Sequence, residues 1–337
     1  MTASYTKSFQ GVPVSILDTT NIVVGGTARE TFLNSVDLAQ KAEDWGYHRI
    51  WLTEHHNIPA MASSATAVVI GHIAAATKRI RIGSGGIMLP NHAPLMIAEQ
   101  FGTLESMYPG RIDLGLGRAP GTDPATSAAL RRGHTTGEDF PRLVQELMAY
   151  FQDDALARVR AYPGAGLSVH IWILGSSDFG ARLAAMLGLP FTFGSHVAAD
   201  YAIPAVKLYR ELFRPSSVLS KPYVMVGMNV TVADSNEQAH YIATSQKQMY
   251  LNVLRGLMAP IMPPVEDMRQ VASEEEILML EHNSMVRSLT IGDGDKLKAS
   301  MQRMLSDTSA DEIIMVTQMY DHKDLIRNYE IIAELLN

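Results

Sequence analysis

The feature that most constrains the fold is an alternation, repeated about eight times, of short apolar runs with longer segments of helical period. Residues 48–52 and 80–83 are examples of the short runs, and residues 28–45 repeat apolar side chains every three or four positions. Strands separated by helices pair in parallel, because each return to the same edge of a sheet needs a long crossover. The pattern therefore predicts an α/β fold, either a closed TIM (β/α)8 barrel or an open doubly wound sheet.

Chain length and the connections between the runs favour the barrel. The predicted strands are residues 14–17, 48–52, 80–83, 111–116, 170–174, 191–193, 224–232 and 312–316. At about 150 residues per domain, 337 residues would make roughly two domains, but barrels of about 200 to over 400 residues are common. No shift in composition divides the chain. We therefore predict a single barrel domain over residues 1–337, with insertions after strands 4 and 7 at about 119–137 and 235–290.

Composition excludes several classes of site and partner. The chain has no cysteine, so disulfides, zinc-cysteine sites, iron-sulfur clusters and a cysteine nucleophile are excluded, and redox chemistry would need a bound cofactor. A net charge of -7 with scattered Lys and Arg does not predict nucleic-acid binding. No apolar stretch reaches the roughly 18 residues of a membrane span, and residues 1–13 lack the apolar core of a signal peptide. We expect a cytoplasmic protein.

Polar and small residues follow four consecutive predicted strands. They are found at residues 54–57, 84–86, 115–118 and 175–177. Because the chemistry of a parallel barrel takes place at the carboxyl ends of its strands, these residues are the candidates for a site.

Residues Ser176 and Ser177 at the start of a helix predict an anion site, most naturally for phosphate, because a helix N-terminus offers free backbone N–H groups. Arg118 ends the neighbouring strand, and its guanidinium matches phosphate oxygens in a fork geometry. Two simpler interpretations remain open, an ordinary serine N-cap and a surface salt bridge of the arginine. A dinucleotide motif around Gly115–Gly117 is rejected, because the third glycine comes one position late and Pro120 stands where the helix would begin.

Further candidates for the site are His55 and the pair Gly85 and Gly86. His55 is either a proton donor or acceptor or a histidine bonded within the barrel wall. Glu54, His55 and His56 do not predict a metal site, since adjacent strand residues face opposite ways and the H-E-x-x-H spacing is absent. The two glycines indicate a β-bulge, a flat ligand close to the backbone, or both.

Five stretches, in order, resemble the bacterial luciferase-like family of flavin-dependent monooxygenases. They are residues 51–57 (WLTEHHN), 82–92 (IGSGGIMLPNH), 98–104 (AEQFGTL), 110–121 (GRIDLGLGRAPG) and 174–177 (LGSS). The residues of these stretches are similar to those of single-chain members of the family. The resemblance covers roughly residues 12–195, with a weaker match near the C-terminus.

The resemblance implies a TIM barrel that takes reduced FMN from a separate NAD(P)H:flavin reductase. It implies that a flavin C4a-hydroperoxide formed with O2 oxidises a small organic substrate, and that the protein is a homodimer. Arg118 and Ser177 resemble flavin-phosphate contacts, and Gly85 and Gly86 resemble a non-proline cis peptide against the isoalloxazine ring. His55 resembles the active-site histidine of the luciferase α chain.

Two positions depart from luciferase, and two alternative functions remain. Gly117 replaces a cysteine and Ser176 an acidic residue, which argues against light production with a long-chain aldehyde. The first alternative is a deazaflavin-dependent oxidoreductase, whose longer anionic tail would need more basic residues than Arg118, Arg131 and Arg132. The second is a non-catalytic flavin-binding protein. The sequence does not identify the organic substrate.

Overall fold

Eight parallel strands close into a barrel in the computed structural model, which describes residues 5–130 and 137–337. The strands are β1 (Val12–Asp18), β2 (Arg49–Leu52), β3 (Arg81–Met88), β4 (Ile112–Gly117), β5 (His170–Gly175), β6 (Phe191–Phe193), β7 (Val224–Val232) and β8 (Glu312–Val316). Each strand pairs with the next along the chain, and β8 returns to β1 with Ile313 opposite Val14. The predicted closed barrel is therefore confirmed over the open sheet.

A ring of helices covers the outside of the barrel. These are α1 (Ala28–Trp45), α2 (Thr66–Ala76), α3 (Pro94–Met107), α4 (Phe140–Tyr150), α5 (Asp178–Leu187), α6 (Ala202–Leu212), α7 (Gly294–Thr308) and α8 (His322–Glu334). None of the helices in the described ranges is both long and apolar enough to cross a membrane. The buried apolar faces of helices and strands form the main core between the two layers.

Local sequence signals set the ends of the first helix. The Thr27 side chain accepts from the Glu30 N–H, and the Glu30 carboxylate accepts from the Thr27 N–H, so both ends of a capping box are present. Gly46 follows the helix with a left-handed φ of 90°, where a side chain would be strained. These capping residues explain why the helix begins and ends at the residues that the periodicity predicts.

The third strand is longer than predicted. It continues through Gly85 and Gly86 to Met88, and its register with β4 shifts between Ser84 and Ile87. The glycine pair therefore marks an irregularity within the strand, as one interpretation of the sequence proposed, and the strand does not end there.

Extra elements lie on the carboxyl side of the barrel after β4 and β7. The first connection contains helix Pro124–Leu130 and, at residues 131–136, positions outside the described ranges, including Arg131 and Arg132. The second contains helices Asn236–Leu254, Glu274–His282 and Ser284–Arg287. Its short strand Thr290–Gly292 pairs in parallel with the end of β7.

An ionic network of two arginines and two acids fills the amino end of the barrel interior. The guanidinium of Arg49 donates to Asp113 at 2.7 Å and to both oxygens of Glu312 at 2.8 and 3.0 Å. Arg81 donates to the other oxygen of Asp113 at 2.6 Å. Both acids are fully buried. Burial alone would raise the pKa of Asp113, but Arg49 and Arg81 hold it at about 2.

We expect Asp113→Asn to lower the free energy of unfolding by about 3 to 5 kcal/mol, because it leaves buried arginine charge without its partner. The pKa of Asp113 in the folded protein lies below the unfolded value of about 3.9. Its contribution to the free energy of unfolding is therefore present above pH 4 and is lost as the pH falls towards 2. Urea unfolding from pH 7 to pH 2 measures both effects.

The matched control is Asp44→Asn, which removes an exposed carboxylate 3.7 Å from Arg79 and should change stability by less than about 1 kcal/mol. Equal losses in the two variants would contradict a structural role for the buried network.

Candidate active site

Two adjoining cavities lie over the carboxyl ends of the barrel strands. Cavity A has a volume of about 250 Å³ and extends from the barrel axis to the start of α5. Cavity B, of about 370 Å³, lies between the strand ends and the insertion after β7. Leu17, Gly85, Met88, His196 and Val197 line both. A ligand in one cavity would therefore contact a ligand in the other.

The outer end of cavity A has the features of an anion site. Arg118, Ser176 and Ser177 all line it, so the structure brings together the three residues that the sequence predicts. Ser177 occupies the N-cap position of α5, but its hydroxyl makes no capping hydrogen bond. The first N–H groups of this helix therefore lack their usual side-chain acceptor and remain open to a ligand.

The guanidinium of Arg118 lies against an aromatic ring at the outer end of cavity A. Its Cζ lies 4.2 Å from the ring centroid of Phe179, which also lines cavity A. No acid within residues 5–130 and 137–337 pairs with Arg118, so the salt-bridge interpretation finds no support in this part of the chain. The aromatic ring orients the cation without neutralising its charge.

Gly85 and Gly86 form one wall of cavity A, and the peptide bond between them is cis. A Cβ atom at Gly85 would lie 2.6 Å from Leu17 Cδ1, and one at Gly86 would lie 2.7 Å from the carbonyl oxygen of Gly115. A side chain at Gly86 would collide with backbone, and one at Gly85 would require Leu17 to move. The wall is therefore bare backbone, which suits the close approach of a flat ring.

His55 lines cavity B from the end of β2. Its Nδ1 is buried and has no hydrogen-bond partner in the described ranges. Burial lowers the pKa of His55 to about 4, with His56 lowering it further and Glu54 opposing the shift. The imidazole is therefore neutral at pH 7, a form that can accept or donate a proton.

Glu54 and His56, which flank His55 in the sequence, are not among the residues that line cavity B. They form a separate polar network with His92. Glu54 Oε1 lies 2.8 Å from Nε2 of His56 and 2.7 Å from Nε2 of His92, and Oε2 accepts from the Met88 N–H at 3.3 Å. Burial would raise the pKa of Glu54, but its hydrogen bonds to the two imidazoles hold it below the usual range. Glu54, His56 and His92 each offer one atom that could bind a metal ion, and these atoms lie within 4.8 Å of one another. The hydrogen bonds among the three side chains account for this spacing. The network fixes the backbone that carries His55.

The structure adds a second histidine that the sequence analysis missed. His196 follows β6, lines both cavities, and has a buried Nδ1 without a partner among the described atoms. Burial lowers its pKa to about 4. Because β2 and β6 are on opposite sides of the eight-stranded ring, His55 and His196 approach the cavities from opposite sides. The polar end of the sixth strand, at Gly194–His196, is the signal that would have found it.

Comparison with known sequences gives matches over most of the chain. The family model described as luciferase-like monooxygenase matches residues 12–312. The YvbT protein of Bacillus subtilis is 53% identical over 96% of both chains. An Escherichia coli protein named luciferase-like monooxygenase is 47% identical over 96% of this chain and 97% of its own. N-acetyl-S-alkylcysteine monooxygenase of Bacillus subtilis is 40% identical over 56% of this chain and 58% of its own.

Solved structures share the fold. Apo-MsnO8 superposes with a TM-score of 0.86 at 28% identity, over 96% of this chain and 98% of that one. The FMN complex of the oxygenating constituent of 3,6-diketocamphane monooxygenase from Pseudomonas putida has a TM-score of 0.70 at 16% identity, over 96% and 97%. An F420-dependent secondary alcohol dehydrogenase also has a TM-score of 0.70, at 14% identity, over 96% and 98%. The last two establish only a common fold.

Proposed function

Because the chain belongs to the luciferase-like monooxygenase family, we propose that it uses reduced FMN and O2 to oxidise a small organic substrate. The observation that carries the proposal is the form of cavity A. It joins an open anion site at Arg118 and α5 to a bare backbone wall at Gly85 and Gly86, and it opens into cavity B. A phosphate on a flat ring system and a separate organic molecule match this pair of cavities.

The residues of cavity A fit FMN. Arg118, Ser176, Ser177 and the first N–H groups of α5 would hold the phosphate, and the wall at Gly85–Gly86 would face the ring. Reduced FMN, when bound, would supply the two electrons that activate O2, so that one oxygen atom of O2 enters the substrate and the other leaves as water.

The side chains above the flavin site would control protons and water. His55, neutral at pH 7, would act as general acid or base towards the substrate or the flavin from the wall of cavity B. Cavity B is lined largely by apolar side chains, which exclude water from the reacting atoms.

A flavin that arrives reduced requires a donor. We propose a separate NAD(P)H:flavin reductase as the partner, and the cytoplasm, where NAD(P)H is available, as the location. FMN is favoured over a deazaflavin because Arg118 is the one arginine or lysine among the described residues that line cavity A. A longer anionic tail would call for more positive charge there.

Arg118→Ala should weaken binding of reduced FMN roughly 10- to 100-fold, because it removes charge-assisted hydrogen bonds to phosphate of about 1.5 to 3 kcal/mol. Anaerobic titration followed by flavin absorbance and fluorescence measures this. Arg142→Ala, which removes an exposed arginine on α4, is the matched control and should bind FMN normally. Undiminished affinity in Arg118→Ala, or tighter binding of reduced F420 than of FMN by the wild type, would contradict the proposed cofactor. No binding of any flavin would remove the proposed function altogether.

His55→Asn should reduce kcat by about 100-fold or more, the usual range for loss of a general acid or base, while the Kd for reduced FMN stays within about twofold. The assay follows product formation with reduced FMN supplied by a reductase. His282→Asn, an exposed histidine in the insertion, serves as control. A collapse of flavin affinity in His55→Asn would show that this histidine binds the cofactor and does not transfer protons.

We also propose that the chain forms a homodimer through α2 and α3. These helices expose Val68 (73%), Met96 (57%) and Met107 (53%). Exposed large apolar side chains on two neighbouring helices are typical of a protein interface.

Val68→Glu combined with Met96→Glu should convert a dimer into a monomer, because two carboxylates would be buried in each half of the interface. Light scattering coupled to size exclusion measures the mass. The control is Leu156→Glu, at a side chain that is 95% exposed on another part of the surface. A monomeric wild type, or a double variant that stays dimeric, would exclude this interface.

A further inference from the structure

Cavity B has adaptable apolar walls without formal charge. Its lining includes five methionines, Met61, Met88, Met249, Met258 and Met285. Thioether side chains are flexible and fill irregular spaces, so the walls can adjust to an apolar molecule. None of the described lining residues is Lys, Arg, Asp or Glu, and burial keeps both lining histidines neutral at pH 7. A charged group here would lose its hydration without gaining a counter-charge.

One buried hydroxyl in this wall has a proton to donate. Tyr250, 5% exposed on helix Asn236–Leu254, lines cavity B. In the amide orientations of the structure, its oxygen accepts from Asn229 Nδ2 at 2.6 Å and lies 3.0 Å from Gln246 Nε2. Both nitrogens are donors, so neither can take the phenolic proton. No other partner of this hydroxyl is found in residues 5–130 and 137–337.

The surrounding hydrogen bonds hold the hydroxyl in place. The two N–H groups of Gln246 Nε2 have acceptors in Asn229 Oδ1 at 2.9 Å and Gln318 Oε1 at 3.1 Å, so the contact with Tyr250 is not a third hydrogen bond. Thr231 donates to Gln246 Oε1 at 3.2 Å. This network links β7, the insertion helix and the segment after β8. A donor fixed in this way is preorganised for a ligand.

A second amide donor belongs to a residue that lines the same cavity. Asn21 Nδ2 is buried without a partner in the described ranges, while its Oδ1 accepts from the Thr19 hydroxyl. Two neutral donors and an uncharged apolar wall select for an acceptor atom on an otherwise apolar molecule, because an unpaired buried donor costs free energy.

We propose that cavity B binds an uncharged, mainly apolar substrate that carries a hydrogen-bond acceptor oxygen, and that Tyr250 donates to that oxygen. This inference rests on the proposed function for the identity of cavity B as the substrate site. Tyr250 is thus a specificity residue, and substrates with a carboxylate or an ammonium group inside the cavity are disfavoured.

The experiment compares three probes by calorimetry on the full-length chain without flavin. They are 2-heptanone, 2-methyl-1-heptene, which has a methylene group in place of the ketone oxygen, and heptanoate. Tyr250→Phe should weaken binding of the ketone roughly 3- to 10-fold, the value of one hydrogen bond, and change alkene affinity by less than about twofold. Heptanoate should bind the wild type at least about tenfold more weakly than the ketone.

The matched control is Tyr209→Phe. Tyr209 is fully buried and donates to the Leu189 carbonyl at 2.8 Å, away from cavity B, so its loss should leave ketone affinity within about twofold. Thermal unfolding of both variants verifies folding. Equal weakening of ketone and alkene by Tyr250→Phe, no weakening of either, or heptanoate binding as tight as that of the ketone would overturn the proposal.

The test separates this inference from the proposed function, because it needs no flavin. A ketone preference that depends on Tyr250, together with failure of the FMN titration, would retain the ligand class and remove the monooxygenase proposal. Normal FMN binding without a ketone preference that depends on Tyr250 would retain the monooxygenase proposal and remove the ligand class.

Discussion

The buried ion network at the amino end of the barrel is the interaction on which the rest of the structure depends. Arg49 on β2 bridges Asp113 on β4 and Glu312 on β8. Arg81 on β3 also binds Asp113, so that two positive charges face two negative ones. Four of the eight strands are thereby joined across the interior. Because burial without compensation would be costly for each of these groups, they fix one another's positions and the register of the strands that carry them.

The network also decides where a ligand can enter. Trp51 donates to Asp113 at 3.1 Å and packs edge-on against Trp172, with ring centroids 5.2 Å apart. Together with Leu17 and Ile314 these rings close the middle of the barrel. Leu17, Trp51 and Ile314 form the floor of cavity A. The amino half of the barrel is thus filled for stability, and the carboxyl half is left open for chemistry, as is usual for this fold.

Much of the site was predictable because it follows from local order. Arg118, Ser177 and His55 come directly after strands, and the parallel barrel gathers all strand ends at one side. His196 obeys the same rule, but the strand before it has only three residues and is a weak signal in the sequence. Tyr250 could not be predicted, because it lies in the middle of a helix of the insertion and reaches the cavity only through the packing of that helix over β7.

By itself the sequence determined the class of fold, the number and approximate bounds of the barrel strands, and the residues that meet at the outer end of cavity A. Hydrophobic period and helix-start residues act over a few positions and can be read directly. Only the tertiary structure decided that Glu54 engages His56 and His92 while His55 lines cavity B, and that Tyr250 of the insertion lines the same cavity. These outcomes depend on contacts between residues far apart in the chain, whose burial and hydrogen-bond partners are fixed only when the barrel and its insertion pack together.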